Sequence, residues 1–275
     1  MKPSPAYKAW LDATLDPPTT ITPDGWRYMA MARGEGAPKP YHYRWLLPRA
    51  LGTDERKWTW TSRVSVLAML PAMRWLTGRW APGLFVFGLD GVWGMARKYP
   101  TVVDPFAMLA AIAAGAATRR RRWVAAIVLS LIAGAAKETA PVFAALYAGH
   151  PLPLVGMVSP AVMASRPEGP DVTDDFSHSA VIAPFESAWW VRQGKAFDWR
   201  LWIAPFGALV AGVNGDPRTL ATVAAAYGQT VAAVDTTRLV QWSWPVLAEN
   251  TVNTFGDRWP VALVAHWFNP WKEAA

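Results

Sequence analysis

The chain has 275 residues, 52% hydrophobic and 17% charged, and 27 Lys plus Arg against 20 Asp plus Glu give a net charge of +7. That is ample core for one large domain or two small ones, and it excludes compositional disorder. The absence of cysteine excludes disulfide scaffolds, thiolate zinc sites, cysteine nucleophiles and CxxC redox motifs, and four scattered histidines, His42, His150, His178 and His266, leave little for a multi-histidine metal centre.

Residues 1–61 form a polar, proline-rich segment with no positively charged stretch leading into an apolar core, so no signal peptide is expected. Residues 62–165 follow as a helical region, with short apolar helices predicted at about 63–78, 82–97, 104–118 and 121–138 and a stretch from 139 broken by Pro141, Pro151, Pro153 and Pro160. Residues 166–198 read as a polar loop with a surface-lying amphipathic helix, carrying Asp171, Asp174, Asp175, Glu186 and Trp189-Trp190. Apolar helices resume in residues 199–275, at about 200–214, 218–234, 238–249 and 259–270.

Mean hydropathy of +0.10 does not place the chain in water or in membrane, so the arrangement of the charges decides. Runs free of Asp, Glu, Lys and Arg cover residues 105–118, 123–136, 139–165, 201–215, 219–234 and 259–271. A bilayer-crossing helix takes about 20 apolar residues, and Trp123–Ala136 reaches only about 21 Å unaided. Arg119 to Arg122, however, separate two Ala/Leu/Ile-rich runs, with Trp123 at the border and Lys137-Glu138 at the far end. Snorkelling arginines and an interfacial tryptophan lengthen the effective span. The expected fold is therefore all-α, a polytopic membrane bundle of short, proline-broken helices with an external N-terminal segment and a cytoplasmic arginine turn. A nucleic-acid partner is not expected, because the remaining basic residues are dispersed.

Four constellations could carry chemistry. Asp24 and Tyr28 lie in Thr22-Pro23-Asp24-Gly25-Trp26-Arg27-Tyr28, with the acid where a helix cap would stand. Asp104 precedes Pro105 at the start of an apolar helix, the ordinary signature of a cap. Lys137 and Glu138 are neighbours at the end of an apolar run; adjacent helical residues point about 100° apart, so they are expected to have separate partners. Ionisable groups beside hydrocarbon are expensive and usually functional, so this dyad is expected to serve the site more than the fold. Asp235 and Arg238 have the spacing of a surface salt bridge or of a functional pair. Gly88, Gly91 and Gly94 suggest close helix packing, without the Lys-Ser/Thr of a phosphate loop. Asp174, Asp175 and His178 read first as a solvated acidic loop, although such a set could take a divalent cation.

In this order, the four constellations resemble the polyprenyl-phosphate-sugar-dependent membrane glycosyltransferases of the GT-C class, nearest to their mannosyltransferase-like branch. The resemblance rests on Asp24 and Tyr28, on Tyr43-Arg44-Trp45-Leu46-Leu47-Pro48, on Asp104, on Lys137-Glu138 and on Asp235 to Arg238, and spans about residues 20–250. It implies inverting transfer of a hexosyl or pentosyl group from a lipid-phosphate donor to a glycan, lipid or protein hydroxyl on the external face of a bacterial-type plasma membrane. It implies catalytic roles for Asp24, the general base, and Glu138. Tyr28, Arg44, Asp104, Lys137, Asp235 and Arg238 bind substrate in this reading, with no metal ligand and no cofactor beyond the donor. A membrane cavity would raise the base toward neutrality. The family's usual first membrane helix is missing, and its members are longer. The alternatives are a small non-catalytic membrane assembly protein on the same scaffold, or a soluble tryptophan-rich helical protein.

Overall fold

Pro23 forces the residue before it into extended backbone, which makes Thr22 and not Asp24 the cap of the first helix. The computed structural model describes residues 21–38, 40–170, 172, 203–231 and 236–269. In it, the Thr22 hydroxyl accepts from the Gly25 amide at 3.2 Å and opens α1, Pro23–Ala32. A single 3₁₀ turn, Tyr41–Tyr43, leads to α2, Leu46–Leu51, which stops at Gly52. The long α3, Glu55–Thr77, begins well before the predicted 63, because the Asp54 carboxylate caps the Arg56 and Lys57 amides.

The helix predicted at 82–97 is instead a string of single turns. Ala81–Leu84 is α-helical, Phe85–Gly88 is 3₁₀, Asp90–Gly94 is a π-turn and Met95–Lys98 is α-helical again, with Leu89 extended between the second and third. Close packing explains the glycine at 91, where a Cβ would come within 2.8 Å of the Arg238 Cα.

The centre of the fold is α4, Asp104–Arg119, whose Ala-rich surface lies against α3, α5 (Trp123–Ala136) and α6 (Ala140–Ala148). Small side chains let these backbones approach; a Cβ at Gly134 of α5 would sit 2.0 Å from the Gly156 carbonyl. The prolines from 141 onward divide the next stretch into α6, the 3₁₀ segment Leu152–Met157 and α7, Val158–Ala164. After 203 come a 3₁₀ segment, Ala204–Gly212, kinked at Gly207, then α8 (Pro217–Gly228), α9 (Thr236–Val240), α10 (Trp244–Phe255) and α11 (Trp259–Trp267).

Among the described residues every regular element is helical and no strand occurs, so the chain is all-α. Among the same residues no helix is long and apolar enough to cross a membrane. The longest, α3, has charges along it, and the most uniformly apolar, α5, has 14 residues. The expectation of a polytopic bundle therefore finds no spanning helix here. The predicted amphipathic helix within 166–198 lies outside the described residues.

Two apolar clusters hold the helices together. The larger unites α3 to α6 with α10 and α11 around the fully buried Trp242 and Trp244. The smaller joins Tyr28, Tyr41, Leu47 and Trp58 to Val103 and docks the N-terminal segment on the first turn of α4. At the opposite end of α4 the arginine turn is more than a solvated face. Arg119 donates to the Tyr147 and Leu76 carbonyls and makes two bonds to Glu249, and Arg120 donates to the Trp75 carbonyl.

Candidate functional site

With Thr22 as the cap, Asp24 stands inside α1 and its carboxylate is left for tertiary partners. Its Oδ1 accepts from the Tyr41 hydroxyl at 2.7 Å and its Oδ2 from Arg238 Nη2 at 3.0 Å. Arg27, one turn further along α1 and fully buried, places Nη1 3.9 Å from Oδ1 and its guanidinium 4.4 Å from the centre of the Tyr41 ring. Asp104 is not a cap either. The N-cap of α4 is Val103, without a side-chain bond, and Asp104 Oδ1 accepts from Lys137 Nζ at 2.6 Å while Oδ2 lies 3.8 Å from Arg238 Nε.

Lys137 ends α5 with extended backbone, which sends the two neighbouring charges to different partners. The Lys137 ammonium goes to Asp104 and stands 5.6 Å from the centre of the buried Trp242 ring. Glu138 forms a two-bond fork with Arg44, Nε to Oε2 at 2.8 Å and Nη2 to Oε1 at 2.7 Å, and the remaining Arg44 Nη1 donates to the Tyr28 hydroxyl at 2.9 Å. Tyr28 is held in turn by stacking on Trp58, with ring centres 5.8 Å apart.

The structure thus brings Asp24, Tyr28, Arg44, Asp104, Lys137, Glu138 and Arg238 together from the N-terminal segment, α4, the end of α5 and α9. Asp235, the expected companion of Arg238, lies outside the described residues, as do Asp174, Asp175 and His178. Among the described residues no group of His, Asp and Glu is arranged to hold a metal ion. Two members of the cluster were not singled out from the sequence, Arg27 and Tyr41. Arg27 was legible from its spacing of three from Asp24, which puts both on one helix face. For Tyr41 no periodic signal exists, since it lies in a single 3₁₀ turn of three residues.

Exposure divides the cluster into an edge and a floor. The side chains of Asp24, Arg238 and Glu138 are 15%, 13% and 21% exposed, whereas Asp104 and Lys137 are at 3% and 2%. An anionic ligand arriving at the edge meets Arg238 first; Lys137 is enclosed, with its charge committed to Asp104. The dyad is therefore not a pair of equivalent site groups. Lys137 holds the floor and so serves the fold as well as the site, while Glu138 reaches the edge.

Electrostatics also differ from the sequence expectation. Burial alone would push the Asp24 carboxyl up, but Arg238, Arg27 and Arg44, helped by the Tyr41 hydroxyl, outweigh it and hold the group below its ordinary value. Asp24 is ionised at neutral pH and is not raised toward neutrality. Burial drives the Tyr28 and Tyr41 phenols upward, so both stay protonated, and Tyr41 remains a donor to Asp24. A carboxylate has about four lone-pair sites. Tyr41 and Arg238 take one on each Asp24 oxygen, and the exposed edge can present another to an incoming hydroxyl.

Comparison with known proteins finds no matching family model, no matching curated protein and no matching solved structure. The functional reading rests on this chain's own residues.

Proposed function

We propose that the chain is a membrane glycosyltransferase that moves a sugar from a polyprenyl-phosphate donor to an acceptor hydroxyl with inversion. One observation carries this reading. Of the charged and tyrosine side chains on which the resemblance to GT-C enzymes rests, Asp24, Arg238, Asp104 and Lys137 form one run of hydrogen bonds and ion pairs, although Asp24 and Arg238 are 214 positions apart, and Glu138, Arg44 and Tyr28 form a second that packs against the first through the Tyr41 ring.

In the proposed reaction the acceptor oxygen attacks the anomeric carbon from the face opposite the phosphate. The acceptor's proton passes to an Asp24 oxygen, the glycosidic C–O bond breaks, and its electron pair leaves on the lipid phosphate. A carboxylate held low is a weak base. It suffices where the hydroxyl becomes acidic only as the new bond forms, and geometry ranks before pKa in choosing it. A departing phosphate needs positive charge and no general acid. Arg238 at the edge supplies that charge, and the Asp104–Lys137 pair fixes Arg238 from below. Glu138 holds the Arg44 fork, which keeps the Tyr28 hydroxyl in place.

Membrane placement is supported by apolar side chains that face outward at helical spacing. Val124, Val128 and Leu131 on α5, Trp60, Val64 and Leu67 on α3, and Val261 and Val264 on α11 are all exposed. The cluster lies at one end of α4 and the arginine turn at the other, about 24 Å apart for its 16 residues. That separation fits an external site and a cytoplasmic basic turn, with snorkelling or local bilayer thinning covering the shortfall against a core of about 30 Å.

One observation favours a non-catalytic scaffold instead. Each acid of the cluster already has a cation, and two of these pairs, Arg44–Glu138 and Arg238–Asp24, tie the N-terminal segment to the later helices, as a purely structural network would. Turnover separates the two. Purified wild type should release lipid phosphate from a polyprenyl-phosphate sugar in the presence of acceptor. Asp24→Asn should lower the rate on the order of 10²-fold, the usual size of a lost general base. Equal rates would remove Asp24 from the chemistry, and no turnover with any donor would favour the scaffold.

A further inference from the structure

A groove of about 500 Å³ lies beside the charged cluster, between α2, the second half of α5 and α7. Its walls are Trp45, Leu131, Ile132, Ala135, Val158 and Val162, and Arg49 and Arg166 also line it, one from α2 and one from just past α7. The Trp45 indole N–H donates to the Ser159 hydroxyl at 3.1 Å, which fixes α2 against α7 and holds the groove at its width.

Three observations define the occupant. First, the walls continue the outward apolar stripe of α5, since Leu131 belongs to both. Whatever covers Val124 and Val128 can therefore enter from the side. Second, Arg49 and Arg166 differ from the cations of the cluster, each of which lies beside a carboxylate; among the described residues neither of these two has an acidic partner. Arg49 rests over the Trp45 ring, 5.9 Å from its centre. Third, none of Asp24, Tyr28, Arg44, Asp104, Lys137, Glu138 and Arg238 lines the groove, so a ligand seated there does not present its headgroup to the reacting residues.

From these we infer that the groove is a lateral site for an anionic membrane phospholipid, one acyl chain lying along the apolar walls and the phosphate held between Arg49 and Arg166. Guanidinium is the side chain best suited to such a group, because its planar fork matches phosphate oxygens. A zwitterionic headgroup brings its own cation to the same place and gains less. The bound lipid would brace α2 against α7, and through Trp45 the neighbouring Arg44, without taking part in transfer. The inference rests on the membrane placement proposed above and not on the transfer chemistry.

The test is native mass spectrometry of the full-length protein in detergent, titrated with phosphatidylglycerol or phosphatidylcholine of identical chains. Wild type should retain phosphatidylglycerol about tenfold better, the scale of one or two charge-assisted hydrogen bonds. The double variant Arg49→Gln/Arg166→Gln should lose that preference. Val162→Trp, a change at an exposed wall position that fills the groove, should reduce both lipids while leaving the melting temperature unchanged. Equal retention of the two lipids by wild type would overturn the site, as would an unchanged preference in the double variant. Displacement of phosphatidylglycerol by farnesyl phosphate at equal concentration would overturn the phospholipid assignment and make the groove the donor's seat. A protein that stays monodisperse without detergent would instead overturn the membrane placement, whatever its transfer activity.

Discussion

Replacing Lys137 by Met should destabilise the protein as well as inactivate it. The side chain is 2% exposed and its ammonium lies 2.6 Å from Asp104 Oδ1, so the change leaves a carboxylate at 3% exposure without its nearest cation. Removing one partner of a buried ion pair costs about 3–5 kcal/mol. Arg238 Nε is 3.8 Å from the other Asp104 oxygen and offsets part of this, which puts the expected loss near the low end, about 3 kcal/mol. For a chain of this size that is a fall in melting temperature of roughly 6–12 °C. The assay is thermal unfolding of wild type, Lys137→Met and Lys137→Met/Asp104→Asn under one set of conditions. The double variant should recover at least half of the loss, because the stranded charge is gone. A single variant melting within about 2 °C of wild type would refute the argument, and so would a double variant no better than the single.

Arg44→Lys should also destabilise, by roughly 2–3 kcal/mol, because an ammonium cannot reproduce the fork to Glu138 and the bond to Tyr28 together; chemical denaturation at neutral pH measures it. Asp24 has a folded pKa below its unfolded value of 3.8, so its contribution to stability is complete above that value and is lost as pH falls through the folded pKa. Between pH 5 and pH 3, by melting temperature, wild type should therefore lose more stability than Asp24→Asn. In this naturally cysteine-free chain, Glu35→Cys should react with an impermeant maleimide on intact cells and Arg122→Cys should not; the reverse pattern would end the proposed orientation.

What the sequence made legible was the part governed by local chemistry. Asp104–Arg119 and Trp123–Ala136 were readable because apolar runs end abruptly at an Asp-Pro start and an arginine turn. The start of α3 was not, because charge-free runs were the guide and the Asp54 cap is followed by Glu55, Arg56 and Lys57. In the 82–97 segment Gly88 and Gly91 pack against distant residues, His266 and the backbone of Arg238; the glycine spacing suggests close packing, but no local pattern names these partners or shows the breaks they bring. The same holds within the site. Separate partners for Lys137 and Glu138 were expected from helix geometry, but they arise from the extended backbone of Lys137 past the end of α5, and the depth of Lys137 depends on Asp104 and Trp242 arriving from elsewhere. The pKa direction of Asp24 was missed for a related reason, since three arginines gathered around it outweigh the burial that alone would raise it.

The most direct test of the central claim is a structure determined with a non-cleavable phosphonate analogue of a polyprenyl-phosphate sugar. The account predicts the phosphonate at the exposed edge of the cluster, within hydrogen-bond reach of Arg238, with the sugar carbon facing Asp24. An analogue seated away from Asp24 and Arg238, or failing to bind at concentrations where the wild type releases lipid phosphate, would contradict it.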